Sequence, residues 1–431
     1  MSGNVVMAMF VSAVFQSCAA AAVSYDSAPA DAKAASRVSV SEAVSRSGEP
    51  PAPTPSPASL SAKPAQQAKW TVMVFMNGKN DLERFAFTNF YQMEKIGSDK
   101  DIQIVVEFGR MGNAANDGKW SGCRRYLVQK ADDTDKISSP VLENIPKCDM
   151  GDYKHAADFG KWAMAKYPAE HYMYILWNHG GGWTKAMDNQ PAKIISIDDE
   201  TGNHINTPQM GALLKSMGRK IDVYASDACL MQMAEVAYEI KNYASYVVGS
   251  EELEAGDGYT YDAFLQKARA SDLSPKALAK AAVDSYTDHY TYMGTQSYVN
   301  SDALPGLVKK MDAFADAVMV SGDKEAVRKA RAATQHYAVN YSYKDNADLY
   351  HFVSLVSAPA DTAQKIKDAA SELMSYLSGS VVGHNRVTSD YADSHGLAVY
   401  LPAETYDKNY DELAFAKAGK WPKFAQWLVS K

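Results

Sequence analysis

The sequence predicts an α/β protein with a mostly parallel central sheet and a mainly helical C-terminal region. Between Trp70 and Ser250, strand-like apolar runs alternate with amphipathic helical stretches. Parallel strands need crossover connections, which are usually helices, so this alternation is typical of a parallel sheet. Beyond about Thr295, the longest amphipathic stretches have the spacing and length of helices.

The predicted strands are short runs rich in β-branched and aromatic residues, bounded by glycine or polar residues. They span residues 70–77, 102–108, 172–178, 221–226 and 246–250, with a further β segment in 120–130 and a strand-like run at 395–402. The predicted helices have apolar residues three and four positions apart. They span residues 82–96, 156–166, 207–218, 230–241, 303–320, 324–337, 362–377 and the tail at 421–430.

The first 68 residues differ from the rest in composition. Residues 1–23 contain an apolar run too short to span a bilayer, and they are predicted to be an export signal. Ser17-Cys18 is similar to the end of a bacterial lipoprotein signal, which would make Cys18 a lipidated residue; ordinary cleavage in the following alanine run is the alternative. Residues 24–68, rich in Ala, Pro and Ser, are predicted to be a disordered tether.

Composition limits the function classes. The chain has 431 residues, of which 46% are hydrophobic and 22% are charged, as in a soluble globular protein. A net charge of −7 without a long basic run gives no electrostatic footprint for nucleic acid. We therefore expect a monomer that meets a membrane only through an N-terminal lipid anchor, located in the cell envelope or secreted.

Two predicted strands end next to a reactive residue. The run at 172–178 stops at His179, which three glycines follow, and the run at 221–226 leads to Cys229. Because ligands bind beyond the carboxyl ends of parallel strands, His179 and Cys229 are expected at one site. Cys229 is also expected at the N-terminus of the helix over 230–241, where the helix dipole favours a thiolate.

These residue types suit acyl transfer. The Cys229 thiolate would be the nucleophile, and His179 would protonate the leaving group. The backbone N–H groups of Gly180 and Cys229 could bind the oxyanion of a tetrahedral intermediate. Alone, each side chain is more often structural, since a buried cysteine behaves as a small apolar residue. Their joint placement at two strand ends favours catalysis.

Four motifs occur in the order found in one peptidase family. They are WTVMVFMNGKNDLE from residue 70, WNHGGGW at 177–183, SDACLM at 226–231 and GSEELEAGDGY at 249–259. On these motifs the chain resembles clostripain-like cysteine peptidases, in the clan of caspases and gingipains. The resemblance implies a caspase-like α/β/α sandwich over residues 69–300, with residues 301–431 as an accessory region, and a Cys–His dyad without an obligatory third member.

The resemblance also implies specificity. It describes a thiol endopeptidase acting on proteins or peptides and cleaving after Arg or Lys, with Asp227 in the S1 pocket; the alternative for Asp227 is a helix N-cap. Such enzymes are often zymogens that process themselves between the histidine and the cysteine, where Lys185 and Lys193 are candidate cleavage sites. No cofactor is implied as required. Calcium stays open, because some members need it but no EF-hand spacing is present.

Three other functions and several residues complete the predictions. An esterase could use the His-Gly-Gly-Gly run, but no G-x-S-x-G nucleophile motif is present, and a zinc site lacks partner ligands at suitable spacing. A catalytically silent, surface-tethered binding protein on the same scaffold is the main alternative.

Cys123 and Cys148 could form a disulfide or be separate thiols. The acids of 251–257 could aid a basic P1 residue, bind calcium or be solvated, and four histidines are expected to be structural: His336, His351, His384 and His395.

Overall fold

The computed structural model describes residues 67–114, 116–183, 195–292, 294–340 and 344–431. The predicted export signal, Cys18, nearly all of the tether, Lys185 and Lys193 lie outside the described residues. None of the helices within these ranges has the length and hydropathy of a membrane span.

The described strands form one large sheet and two small ones. In chain order they are β1 Ala68–Gly78, β2 Ile102–Arg110, β3 Gly122–Leu127, β4 Val141–Ile145, β5 Ala169–Trp177, β6 Ile195–Asp198, β7 Asn203–Ile205, β8 Ile221–Asp227, β9 Ala244–Gly249, β10 Thr295–Asn300, β11 Asn346–Asp348, β12 Val382–Val387 and β13 Ala398–Tyr400. The large sheet has the order β12-β10-β9-β8-β5-β1-β2-β3-β4. Its central strands from β9 to β2 run parallel, and antiparallel strands extend both edges.

The helices connect these strands and cover both faces of the sheet. In chain order they are α1 Glu83–Ile96, α2 Tyr153–Lys166, α3 Thr207–Ser216, α4 Ala234–Ile240, α5 Tyr261–Arg269, α6 Pro275–His289, α7 Leu304–Ser321, α8 Lys324–Ala333, α9 Leu349–Ser357, α10 Gln364–Tyr376, α11 Ala414–Ala418 and α12 Trp421–Val429. The start of α3 is fixed by a capping box between Asn206 and Gln209, with Pro208 in the first turn.

Side chains of β1 alternate between two cores, one on each face of the sheet. Met73 and Phe75 join the core that includes α2, α3 and α4. Val72 and Val74 join the core that includes α1, α5 and α6. Helices on both faces of a sheet whose central strands are parallel make an α/β/α sandwich, so the predicted fold class is confirmed.

Two local predictions are wrong. The region beyond Thr295 was expected to be helical up to the run at 395–402, yet β10 and β12 extend the central sheet. Polar residues dominate β12, which lies at the edge and is only partly buried, so it has no apolar alternation to reveal it. The helix predicted over 230–241 begins only at Ala234. Its first residues pair instead with the loop after β9, since Leu230 N–H donates to Glu252 O and Gln232 N–H to Ser250 O.

Candidate active site

The turns that follow β5 and β8 begin at the same edge of the sheet and contact each other directly. The two strands are parallel neighbours, and Trp177 lies opposite Asp227 at their ends. Gly180 is so close to the next turn that an added Cβ would lie 2.2 Å from the Cys229 carbonyl oxygen. His179 and Cys229 therefore line one cleft.

His179 is held from one side of its ring. Its Nε2 lies 2.7 Å from Asp81 Oδ1, and the imidazole is 14% exposed. Its Nδ1 is buried and has no hydrogen-bond partner among the described residues. One ring nitrogen is thus engaged by a carboxylate, while the other is left for the cleft.

Cys229 is buried in a turn and not at a helix end. Its Sγ lies 3.2 Å from the backbone nitrogen of Glu254, which donates a hydrogen bond to the sulfur. The carbonyl oxygen of Glu254 is 3.9 Å from the same sulfur. Leu230, the next residue, has a φ of 63°, a conformation that side-chain-bearing residues rarely adopt. The helix-dipole argument for Cys229 is therefore wrong, because α4 begins five residues later.

Asp227 lies in the wall of the same cleft, with its carboxylate held by the loop after β9. Its Oδ1 accepts the backbone N–H of Tyr259 at 3.0 Å, and its Oδ2 accepts the Tyr261 hydroxyl at 2.9 Å. Burial raises its pKa to about 7, against these hydrogen bonds, which lower it. The N-cap alternative is wrong, because no helix begins at this residue.

Glu254 adds a second buried carboxyl to the cleft. Its Oε1 accepts a hydrogen bond from Gln296 Nε2 at 2.5 Å, and its carboxyl lies beside that of Asp227. Burial, then the charges of Asp227 and Cys229, raise its pKa well above the usual range. Two carboxyls this close do not both ionise easily, so the pair holds part of its protons at neutral pH.

The other acids of residues 251–257 differ in exposure. Glu251 and Glu252 are buried like Glu254, whereas Asp257 is exposed. Glu252 accepts the Ala338 N–H at 3.0 Å and the Tyr391 hydroxyl at 2.9 Å, so it ties this loop to the C-terminal region. Solvated loop charges are therefore the wrong description for the three glutamates.

Gly180, a predicted oxyanion donor, lies directly against the turn that carries Cys229. Its backbone packs against the Cys229 turn and forms an isolated antiparallel bridge to Ile195. Of the two predicted donors, Cys229 lines the cleft, and Gly180 lies behind it against the Cys229 turn without lining the cleft. Their role in binding an oxyanion stays a prediction.

Cys123 and Cys148 form a disulfide, with their Cα atoms 6.0 Å apart. His155 is beside them, and the sulfurs and a ring nitrogen lie within 4.8 Å of one another. Sulfurs bonded to each other offer no thiolate, so this group supplies neither a nucleophile nor a metal site while the disulfide is intact. The His155 ring contacts Glu107 in the interior.

The four C-terminal histidines lie outside the lining of the cleft. Each makes a hydrogen bond that fixes local structure: His336 Nε2 to Arg331 O, His351 Nδ1 to Gln335 N, His384 Nε2 to Asp284, and His395 Nδ1 to Asp348. These contacts agree with structural roles.

Sequence reasoning gave no role to Asp81. The residue is part of the WTVMVFMNGKNDLE motif, three residues after the end of β1. The only signal in the sequence was an acid just beyond the end of β1. Its importance depends on β1 lying next to β5, the strand that leads to His179, and strand order is not readable from local sequence. Glu254 was named only as one of several loop acids.

A family model and a known protein both match this chain over most of its length. The Clostripain family model matches residues 74–427. The clostripain of Hathewaya histolytica is 22% identical over 400 residues, covering 79% of this chain and 76% of that protein.

Solved structures share the fold. A secreted C11 cysteine protease of Bacteroides thetaiotaomicron, in complex with an irreversible peptide inhibitor, matches with a TM-score of 0.60 at 20% identity, covering 84% of this chain and 99% of that one. An inactive zymogen C11 protease of Parabacteroides distasonis matches with a TM-score of 0.61 at 18% identity, covering 82% and 98%.

Proposed function

Since this chain belongs to the clostripain family of cysteine peptidases, we propose that it is an endopeptidase that cleaves after Arg or Lys. The observation that carries the specificity is the buried Asp227 carboxyl in the wall of the cleft that holds Cys229. A buried acid facing a guanidinium or ammonium group forms charge-assisted hydrogen bonds. A neutral P1 side chain would leave that acid without a cation.

In the proposed mechanism, Cys229 and His179 act as the dyad. The Cys229 proton passes to His179 Nδ1, and Sγ attacks the scissile carbonyl carbon to form a tetrahedral oxyanion. The N–H groups of Gly180 and Cys229 stabilise that oxyanion. When the C–N bond breaks, His179 gives its proton to the leaving amine. Water then hydrolyses the thioester and restores the thiol.

Glu254 supports the proposed S1 pocket beside Asp227. The two carboxyls are buried beside each other; burial raises the pKa of each, and the charge of Asp227 raises that of Glu254 further. A P1 cation entering the cleft would displace a proton from the pair into solvent and be held between two acids. This supports a preference for positively charged P1 residues over polar neutral ones of similar length.

Export and self-processing are further parts of the proposal. The apolar run and Ser17-Cys18 support export, as a lipid-anchored or a secreted protein, and one matched structure is of a secreted protease. Processing at Lys185 or Lys193 would fit the proposed P1 preference, and another matched structure is of an inactive zymogen. The proposed reaction needs no cofactor. Comparing hydrolysis with calcium and with a chelator tests whether the enzyme needs calcium.

The experiment is hydrolysis of matched reporter peptides with Arg, Lys, Gln or Leu at P1, in the presence of calcium or a chelator. We expect turnover of Arg and Lys peptides only, none for Cys229→Ala, and a loss of the basic preference for Asp227→Asn. Asp222→Asn is a matched control, because Asp222 also faces a histidine, His171, but at the other end of the same strands. Equal cleavage of Leu and Arg peptides would contradict the S1 assignment.

Self-processing needs a separate measurement. Mass spectrometry of purified wild type should show a cut after Lys185 or Lys193, absent in Cys229→Ala and in the Lys185→Ala/Lys193→Ala double variant. An intact chain that hydrolyses peptides would contradict processing but leave the activity standing. A folded protein silent on every peptide, and still silent after trypsin nicking of this segment, would favour the silent binding protein.

A further inference from the structure

We propose that Asp81 is the positioning residue of His179, holding the imidazole in the tautomer and orientation that present Nδ1 to Cys229. This inference rests on the proposed function, because it assigns His179 the role of proton carrier. It adds a third member to the expected dyad. The contact that carries it is the 2.7 Å separation between His179 Nε2 and Asp81 Oδ1.

Strand order brings the two residues together. β1 and β5 are parallel neighbours, with Met76 opposite Trp177, so the segments that follow their carboxyl ends meet at one edge of the sheet. Asp81 follows β1 and His179 follows β5. The acid therefore approaches the ring from the side opposite to β8, whose end carries Cys229.

The hydrogen bond determines which nitrogen carries the proton. An ionised carboxylate only accepts hydrogen bonds, so Nε2 must be the N–H of the neutral ring and Nδ1 must carry the lone pair. His179 Nδ1 is buried and lacks a hydrogen-bond partner among the described residues. A ring nitrogen that can accept a proton, in the cleft that holds Cys229, is suited to take the thiol proton.

Neighbouring contacts hold the Asp81 segment in place. Asn80 Nδ2 donates to the carbonyl of Ile197 at 2.9 Å, and Asn80 Oδ1 accepts the Leu82 N–H at 3.0 Å. Lys79 is buried and lies 3.2 Å from Asp198. Asp81 thus sits on a turn anchored on both sides, although its own side chain is 45% exposed. A fixed turn is what a positioning residue needs.

The same contact also serves the step after proton transfer. Once Nδ1 has taken the proton, the imidazolium donates from Nε2 to the Asp81 carboxylate, which stabilises the cation. The other titratable groups lining the cleft are Cys229, Asp227 and Glu254. Because Asp81 is half-exposed, salt should weaken its effect, whereas the buried acids should respond less to salt.

The test compares wild type with Asp81→Asn and Asp81→Glu, with Asp222→Asn as the matched control. We expect Asp81→Asn to lose at least tenfold in kcat with a small change in KM. The pH profile of kcat/KM should also differ from that of wild type, because asparagine supplies no negative charge beside Nε2. Asp81→Glu should recover part of both effects, and high salt should shift wild type towards Asp81→Asn.

A second readout does not depend on turnover. The pH dependence of iodoacetamide alkylation, located at Cys229 by mass spectrometry, reports the thiolate in each folded variant. A shifted profile in Asp81→Asn but not in Asp222→Asn supports the pairing even if no peptide is cleaved, in which case the proposed function alone fails. An unchanged profile in Asp81→Asn, or an equal shift in Asp222→Asn, overturns the assignment whatever the peptides show.

Discussion

Replacing Gly180 by alanine should move the turn that carries His179 away from the turn that carries Cys229. The new Cβ would lie 2.2 Å from the Cys229 carbonyl oxygen and 3.0 Å from the Cys229 nitrogen. Both contacts are to backbone, so no flexible side chain can move away to relieve them. The turns carrying His179 and Cys229 must therefore move apart by roughly 1 Å, a misplacement that costs on the order of a hundredfold in rate.

The loss should appear in chemistry and not in folding. Alanine keeps the backbone N–H, so an oxyanion donor at 180 is not deleted and the effect isolates the spacing of the dyad. We would measure kcat and KM on an Arg peptide, with thermal unfolding as a check on the fold. Gly379→Ala is the matched control, since a Cβ there meets nothing within 4 Å, and it should behave as wild type.

Near-wild-type kcat in a folded Gly180→Ala protein would refute this reasoning. It would mean that the two turns can separate without disturbing the dyad, or that the proton does not travel between His179 and Cys229. A profile in which KM alone rises would instead place Gly180 in substrate binding. Either result would remove the steric argument for a tightly coupled pair.

Three further predictions concern stability. Burial raises the pKa of Glu235 to about 7, so the unfolded chain releases this proton at lower pH than the folded protein does. The free energy of unfolding should therefore fall by up to about 3 kcal/mol between pH 4.5 and 7. Urea titrations of Glu235→Gln should show a smaller fall. Replacing both Cys123 and Cys148 by alanine should lower the free energy of unfolding by about 3 kcal/mol, given their sequence separation of 25, while peptide hydrolysis continues. Lys79→Met should lower the free energy of unfolding by about 3–5 kcal/mol, because it leaves the buried Asp198 carboxylate without its cation. A clearly smaller decrease in chemical denaturation would contradict this.

The central strands and the two reactive residues could be predicted from sequence for the same physical reason. Strands β1, β5 and β8 are largely buried on both faces, so each contains a short run rich in apolar residues. In parallel strands such runs end at one edge of the sheet, so the sequence pattern alone predicts that His179 and Cys229 lie together. Local pattern was sufficient because each residue lies two positions beyond its strand.

Features decided by contacts between distant segments could not be predicted. Residues 230–233 have helical periodicity, but their backbone pairs with the loop after β9, and this tertiary pairing overrides the local preference. Asp81 and His179 are 98 residues apart and meet only because β1 and β5 are neighbours in the sheet. The edge strand β12 is polar enough to be missed entirely.

The late start of α4 changes where thiolate stabilisation must come from in the proposed enzyme. Without a helix end, the contributions are the Glu254 N–H, which donates to Sγ at 3.2 Å, and the His179 ring once it has taken the thiol proton. The neighbouring acids oppose a thiolate, although burial raises their pKa values and so reduces their negative charge at neutral pH. A basic P1 side chain would bring its cation into this cleft, which favours the ionised acids and the thiolate together. Selection for Arg or Lys should therefore appear in kcat as well as in KM, because a neutral P1 residue leaves the nucleophile as well as the pocket without a counter-charge.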